Sequence, residues 1–339
     1  MHRRVITVFA LLLVAVPAAV SAGSLFPVPG YYCVDTPVNM PAGAWFGGFD
    51  VLPNGNFVIL DGYAVREITP AGVDVNTLYT FPGYVYGSFV RYNPANGRVY
   101  FGETSTHAIM SVPASGGASS AVANVQFNYD MDFWSGAPYV VAGNTVYAVD
   151  ESTGQTDAIA TAGVVSGPVI FDSLGNLIYG TGNPNWPPTT NDQKIYMWSA
   201  AQVAGAAGPT VLGTAEATVL AAGVDAPTGF AIDGLGRLIY TDSQVSPAVL
   251  RVVQGGTADL FTGTNVPGEF PWATVIRYNP ATDGLSVAVS WFDSGWAAHT
   301  VISTLLPVPE PPAMAALAGL IGLAAPTSLL RRRMSAGRH

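Results

Sequence analysis

Residue types able to do covalent chemistry are scarce in this chain. Of four histidines, His2 and His339 sit at the extreme ends, which leaves His107 and His299 within the body, and Cys33 is the only cysteine. No HExxH, CxxC, GxSxG or Walker-type glycine loop occurs. GTGNPN at Gly180 precedes prolines rather than a helix, so it gives no phosphate cradle. Without a nucleophile beside an orienting base, acyl transfer has no support. Carboxylates remain: Asp61, Glu103, Asp150 and Asp242 each close an apolar, strand-like run, at places that read as equivalent in four repeated units and could ring one opening of a central channel. Oxygen ligands converging from such positions would suit a hard cation such as calcium. The same acids could equally accept turn amides or keep the surface soluble. The segment from Asn183 to Gln193, NPNWPPTTNDQ, combines rigid prolines, amides and a tryptophan. It is a candidate ligand-binding rim through Asn183, Asn185, Trp186 and Asp192, or a plain solvent loop.

What would position these side chains is a repeat. PVIFDSLGNLIYGTG, from Pro168 to Gly182, returns as TGFAIDGLGRLIYTD from Thr228 to Asp242. In both, an apolar strand reaches an aspartate (Asp172, Asp233), turns through Leu-Gly, and leaves as a strand ending in tyrosine (Tyr179, Tyr240), which reads as a β-hairpin. Six such turns align, at Asn54-Gly55, Asn96-Gly97, Ser135-Gly136, Leu174-Gly175, Leu235-Gly236 and Asp283-Gly284, with glycine spacings of 42, 39, 39, 61 and 48. A third strand follows each hairpin, and a fourth, such as NTLYTF, SAVAN, TDAIAT, ATVLAA or ADLFTG, closes the first five units. Four strands per unit and a period of about 40 to 50 residues predict an all-β, six-bladed propeller. The sixth unit lacks its fourth strand. YYCVD, from Tyr31 to Asp35, is spare before the first unit, and pairing it there would close the ring and leave no open edge. Cys33 would then be a small apolar residue buried in the closure strand, the alternative being an intermolecular disulfide or reactive thiol. AQVAGAAGPTVLGTAEAT, from Ala201 to Thr218, reads as a connection or short helix.

The units resemble the NHL, YWTD and SMP-30-type six-bladed propellers, in which an Asp-x-x-Gly-Asn/Arg-hydrophobic-Tyr pattern recurs. Asp172 to Tyr179 and Asp233 to Tyr240 carry it well, and Asp50 to Ile59 carries it through FDVLPNGNFVI. The resemblance implies architecture more than activity. An SMP-30-type lactonase would open its first blade with a metal-binding glutamate, and the corresponding stretch here, AWFGGFD, has none.

The two ends address the protein. Arg3 and Arg4 precede an uncharged run from Val5 to Val16, and Val20-Ser21-Ala22 supplies small residues for a signal peptidase, so residues 1–22 read as a signal peptide cleaved after Ala22. At the other end Val308-Pro309-Glu310-Pro311 leads into an uncharged stretch from Ala313 to Leu330 and then Arg331, Arg332 and Arg333. That stretch is long enough to span a bilayer, with the arginines holding the far end in the cytoplasm. The tripartite segment, residues 308–339, resembles the PEP-CTERM sorting signal of Gram-negative bacteria. The resemblance implies an exosortase-type processing enzyme as partner, a transmembrane helix before processing, and a final place at the cell surface, outer envelope or extracellular matrix, alongside exopolysaccharide.

Between the ends, residues 23–307 form the predicted propeller. From Gly23 to Pro309 seven basic residues face 21 acidic ones, so the body carries about fourteen net negative charges, more than the −9 of the whole chain. This excludes nucleic acid as a partner, since phosphate binding needs a basic footprint. The sequence therefore points to an exported, non-enzymatic propeller that binds a glycan or a surface protein. Its alternative is a metal-dependent extracellular hydrolase or lactonase.

Overall fold

The aspartate of the repeated turn sets the first local structure. Asp172 accepts the backbone amides of Leu174 and Asn176, and Asp233 those of Leu235 and Arg237, at 2.9 to 3.0 Å. The following glycines, Gly175 and Gly236, adopt φ of +83° and +74°, a conformation glycine reaches without a Cβ penalty. The carboxylate thus fixes the loop while the glycine reverses the chain.

The computed structural model describes residues 24–185, 192–206, 210–243, 248–253 and 256–308, with the side chains of 269 and 270 excepted. The chain starts with β1 (Leu25–Pro27) and β2 (Tyr31–Pro37). Blade one is β3 (Gly48–Val51), β4 (Phe57–Leu60), β5 (Ala64–Ile68) and β6 (Asp74–Thr80). Blade two is β7 (Gly87–Asn93), β8 (Arg98–Glu103), β9 (Ala108–Pro113) and β10 (Ser120–Asn124). Blade three is β11 (Asn128–Trp134), β12 (Ala137–Ala142), β13 (Thr145–Asp150) and β14 (Gln155–Thr161). Blade four is β15 (Val169–Phe171), β16 (Leu177–Gly180), β17 (Gln193–Trp198), the helix α1 (Ala200–Gly205) and β18 (Thr218–Val224). Blade five is β19 (Pro227–Ile232), β20 (Leu238–Asp242), β21 (Ala248–Val253) and β22 (Gly256–Asp259). After β23 (Phe261–Thr264) come β24 (Glu269–Asn279), β25 (Gly284–Phe292) and β26 (Ala298–Pro307) of blade six.

Each blade is a four-stranded antiparallel sheet in chain order, except the last, whose order is β2-β26-β25-β24. The N-terminal strand therefore supplies the outer edge of the sixth blade, as strand counting predicts, and this is an all-β six-bladed propeller closed by its two ends. Burial is greatest in the middle of the blade and least at its outer edge: all four residues of β4 are buried, whereas the first four of β6 are exposed. Apolar clusters fill the gaps between neighbouring blades, with Phe89, Tyr100, Met131, Val140 and Val149 packed between blades two and three. Tyr179 and Tyr240, the tyrosines of the repeat, are buried, and Tyr179 Oη donates to Val165 O at 3.2 Å. Cys33 is buried at 3% exposure among Leu285 and Leu305, and burial pushes its thiol up to about 11, which fits the buried-residue reading.

One strand differs from expectation. ADLFTG was the expected fourth strand of blade five, but that edge is β22, and β23 turns away to pair with β1 in a separate two-stranded sheet. The connection after β17 forms α1, capped by a reciprocal Ser199–Gln202 pair. The predicted signal peptide 1–22, Trp186, and the sorting segment from Pro309 onward lie outside the described residues. Val308 is described and exposed.

Removing residues 23–36 strips β2 from blade six and leaves β26 as an unpaired edge. The lost backbone bonds, at roughly 0.5–1.5 kcal/mol each, are large against a stability of about 5–15 kcal/mol. The truncated protein is expected to aggregate, as read by size-exclusion chromatography and thermal melting. A monomer with an unchanged Tm would contradict closure by β2.

Candidate functional site

The inner strands β3, β7, β11 and β24 carry an ionic network in which Arg91, Asp130 and Arg277 are buried and Asp50 and Asp132 partly so. Arg91 on β7 grips Asp130 on β11 with two nitrogens, Nε to Oδ1 at 3.2 Å and Nη2 to Oδ2 at 3.1 Å, and Nη2 also donates to Val169 O on β15 at 3.3 Å. Asp130 Oδ2 accepts from Val169 N at 3.2 Å, and Asp132 Oδ2 from Phe171 N at 2.7 Å. On the other side Asp50 Oδ2 on β3 accepts from Tyr92 N at 2.8 Å. Arg277 on β24 stands 3.6 Å from Asp50 and 3.8 Å from Asp130, both longer than a hydrogen bond. Its Nη1 donates to Ile276 O at 2.7 Å, while its buried Nε has no hydrogen-bond partner among the described residues.

The electrostatics of the two arginines differ accordingly. Burial works against the charge of Arg91, but the carboxylates of Asp130, Asp132 and Asp50 outweigh it and raise its pKa. Burial pushes Arg277 down to about 10, and the like charge of Arg91 adds to the effect, with Asp50, Asp130 and Asp132 only partly offsetting both. Asp132 is raised to about 6 by desolvation, against the pull of Arg91 and two backbone amides.

Above this network opens a cavity of about 770 Å³, lined by residues from blades one, two, three, five and six. It lies where inner strands begin and second strands end, on the face opposite the six hairpin turns. Asp130 and Arg277 reach its lining, with Ser88, Asn128, Thr104, Thr228, Ser243 and Thr274 adding hydroxyl and amide groups. One side of the wall is aromatic. Trp45 stacks on Trp272 with centroids 5.8 Å apart and planes at 18°, and Phe292 lies 5.1 Å from Trp272 and 5.7 Å from Trp296. Trp45 and Trp296 remain 43% and 66% exposed, open to a ligand. The floor on the blade one side depends on glycine: a Cβ on Gly47 would fall 2.9 Å from the backbone of Gly87, so only glycine allows the two blades to approach this closely here.

The residues singled out from sequence fall elsewhere. Glu103 and Asp242 end the second strands β8 and β20 and Asp61 directly follows β4, all on the cavity face, yet their oxygens are taken by nearby amides. Asp61 accepts from Tyr63 N and Ala64 N, Glu103 from Ser105 N and Thr106 N, and Asp242 from Asp225 N and Ala226 N. Asp61 also pairs with Arg66 at 2.6 Å. Asp150 is not equivalent to them. It ends β13, a third strand running the other way, and caps the β13–β14 turn on the hairpin face through Ser152 and Thr153. Among the described residues no group of three His, Cys, Asp or Glu side chains could hold a metal ion. Asn183 donates to Asp225 O, Asn185 N to Asn183 Oδ1, and Gln193 to Asp192; none of the three lines the cavity. The signal that could have found the channel network is the repeated RYNP, at 91–94 and 277–280: a charge at the same place on an otherwise apolar inner strand in two units.

Compared with protein-family models and with curated proteins, the chain has no match. Among solved structures it is similar to a catalytically inactive virginiamycin B lyase from Staphylococcus aureus with quinupristin, at 14% identity and TM-score 0.52, covering 82% of this chain and 100% of that one. It is similar to a luciferin-regenerating enzyme at 12% identity and TM-score 0.56, covering 83% and 96%. It is also similar to the PQQ-bound aldose sugar dehydrogenase of Streptomyces coelicolor, at 12% identity and TM-score 0.53, covering 82% and 99%. At such identities the likeness establishes the shared propeller architecture and nothing of the chemistry.

The raised pKa of Asp132 has a measurable sign. Its folded value, about 6, lies above the ordinary 3.8, so the folded state holds the proton more tightly, and its stabilising contribution is present below about pH 4 and lost as pH rises through 6. The stability difference between wild type and Asp132→Asn should therefore shift toward the variant by of order 2 kcal/mol between pH 4 and pH 7. Paired denaturation curves across that range would show it. A pH-independent difference would contradict the assignment.

Proposed function

We propose that this protein is an exported, surface-sorted propeller that binds a glycan in the channel-mouth cavity without turning it over. The carrying observation is the aromatic wall of Trp45, Trp272, Phe292 and Trp296 set over a floor of hydroxyl, amide and charged groups. Sugar rings present apolar faces and polar edges, so an aromatic wall with convergent donors and acceptors matches both. A cavity of this size is in the range of small-ligand sites. The absence of a nucleophile–base pair in the sequence favours binding over covalent catalysis. A metal-dependent hydrolase would need oxygen ligands that converge, whereas Asp61, Glu103 and Asp242 each hold the turn beside them.

Export rests on the residue 1–22 leader, and sorting on the PEP-CTERM-like segment of Pro309, Glu310, Pro311, an apolar span and Arg331 to Arg333. Through that segment the partner would be an exosortase-type enzyme, and the destination the envelope or matrix.

Trp45→Ala removes an exposed platform without emptying the core. It is expected to weaken binding of the best ligand on a glycan array at least tenfold, measured by calorimetry, because truncating a central aromatic anchor costs about 2 kcal/mol or more. Undiminished binding would remove the cavity from consideration. Replacing Pro309, Glu310 and Pro311 with alanine is expected to leave full-length protein in the membrane fraction. Unchanged release would overturn the sorting half of the reading.

A further inference from the structure

We infer that the glycan bound in this cavity is acidic, a glycuronate whose carboxylate sits against Arg277. The inference rests on the glycan reading above and specifies its class. Arg91 and Arg277 are on neighbouring parts of one network but are provided for unequally. Arg91 holds Asp130 through two hydrogen bonds, while Arg277 has carboxylates only at 3.6 and 3.8 Å and one bond to a carbonyl of its own strand. Its side chain is 6% exposed and its Nε has no hydrogen-bond partner among the described residues. A buried guanidinium so weakly paired is costly, and the native structure keeps it at the lining of the cavity rather than packed into a blade.

Three carboxylates, Asp50, Asp130 and Asp132, surround the two arginines, but they serve them unevenly, and among the described residues Arg277 has no carboxylate within hydrogen-bond distance. The cation of Arg277 is disfavoured where it stands, by burial and by the neighbouring Arg91, so an added negative charge on its cavity side relieves both. An arginine matches a planar carboxylate better than any other side chain, through charge-assisted hydrogen bonds. A ring bearing that carboxylate would lie along Trp45 and Trp272. The body's excess of about fourteen negative charges opposes long-range attraction of a polyanion, so the expected preference is short-ranged and survives moderate salt.

The test compares three probes on the wild-type full body by calorimetry: cellobiouronate, its methyl ester and cellobiose. The ester keeps shape and removes charge. The acid is expected to bind roughly tenfold tighter than the ester or more, as a charge-assisted bond implies. Arg277→Gln should abolish that preference, and Trp45→Ala should weaken all three probes equally. If acid and ester bind alike while Trp45→Ala weakens both, the inference is overturned and the glycan reading stands. If none of the three binds and an array shows no glycan ligand, both fall. Acetate competing as well as cellobiouronate at equal ionic strength would also overturn it, since the aromatic wall would then contribute nothing. Should Arg277→Gln fail to fold, the acid-to-ester ratio on the wild type decides alone.

Discussion

The fold depends on charges that join blades which share no backbone ladder. Within a blade the strands are hydrogen-bonded along their length, but adjacent inner strands meet only through side chains and packing. The aspartates at the channel bridge this gap: Asp50 reaches from blade one to Tyr92 N in blade two, and Asp130 and Asp132 reach from blade three to Val169 N and Phe171 N in blade four. Arg91 ties blades two, three and four at once. Blades five and six are joined more weakly, by Thr228 Oγ1 to Ala273 O at 2.9 Å and Thr241 Oγ1 to Thr274 O at 2.7 Å. Each bond satisfies an inner-strand amide or carbonyl that would otherwise face the channel unpaired.

A consequence is that structure and binding draw on the same groups. Asp130 both locks blades and lines the cavity, so its charge is fixed in place before any ligand arrives. Such preorganised polar groups in a site of low dielectric act more strongly than solvated ones. The cavity lining thus sets a buried arginine, Arg277, beside a buried aspartate, Asp130, in a body whose net charge is acidic.

The six hairpins were legible because each is local: a turn containing glycine and two apolar strands lie within about fifteen residues, joined in blades four and five by the turn aspartate. Ring closure was legible for a different reason, as arithmetic on strands. The acid at residue 150 misled because the turn after β12 is the tight pair Gly143-Asn144, which puts Ala142, not Asp150, at the place matching Asp61 and Glu103. The aromatic wall was out of reach. Trp45 and Trp272 stack only because blade six closes against blade one, and nothing in the neighbourhood of either residue announces the other. Arg277 was visible as a charge in an apolar strand, but which aspartates it lacks is a property of the assembled channel.

The closure also determines how the molecule responds to tension. β26 does not lie at the edge of its sheet: it is held between β25 and β2, with a register running unbroken from Leu285↔Leu305 to Phe292↔Ala298 on one side. A load applied at the C-terminal end of β26 acts along the strand axis, so its ladders are strained in parallel rather than opened one bond at a time from a free edge. A body pulled by that end is therefore loaded in shear, the stronger of the two loading geometries.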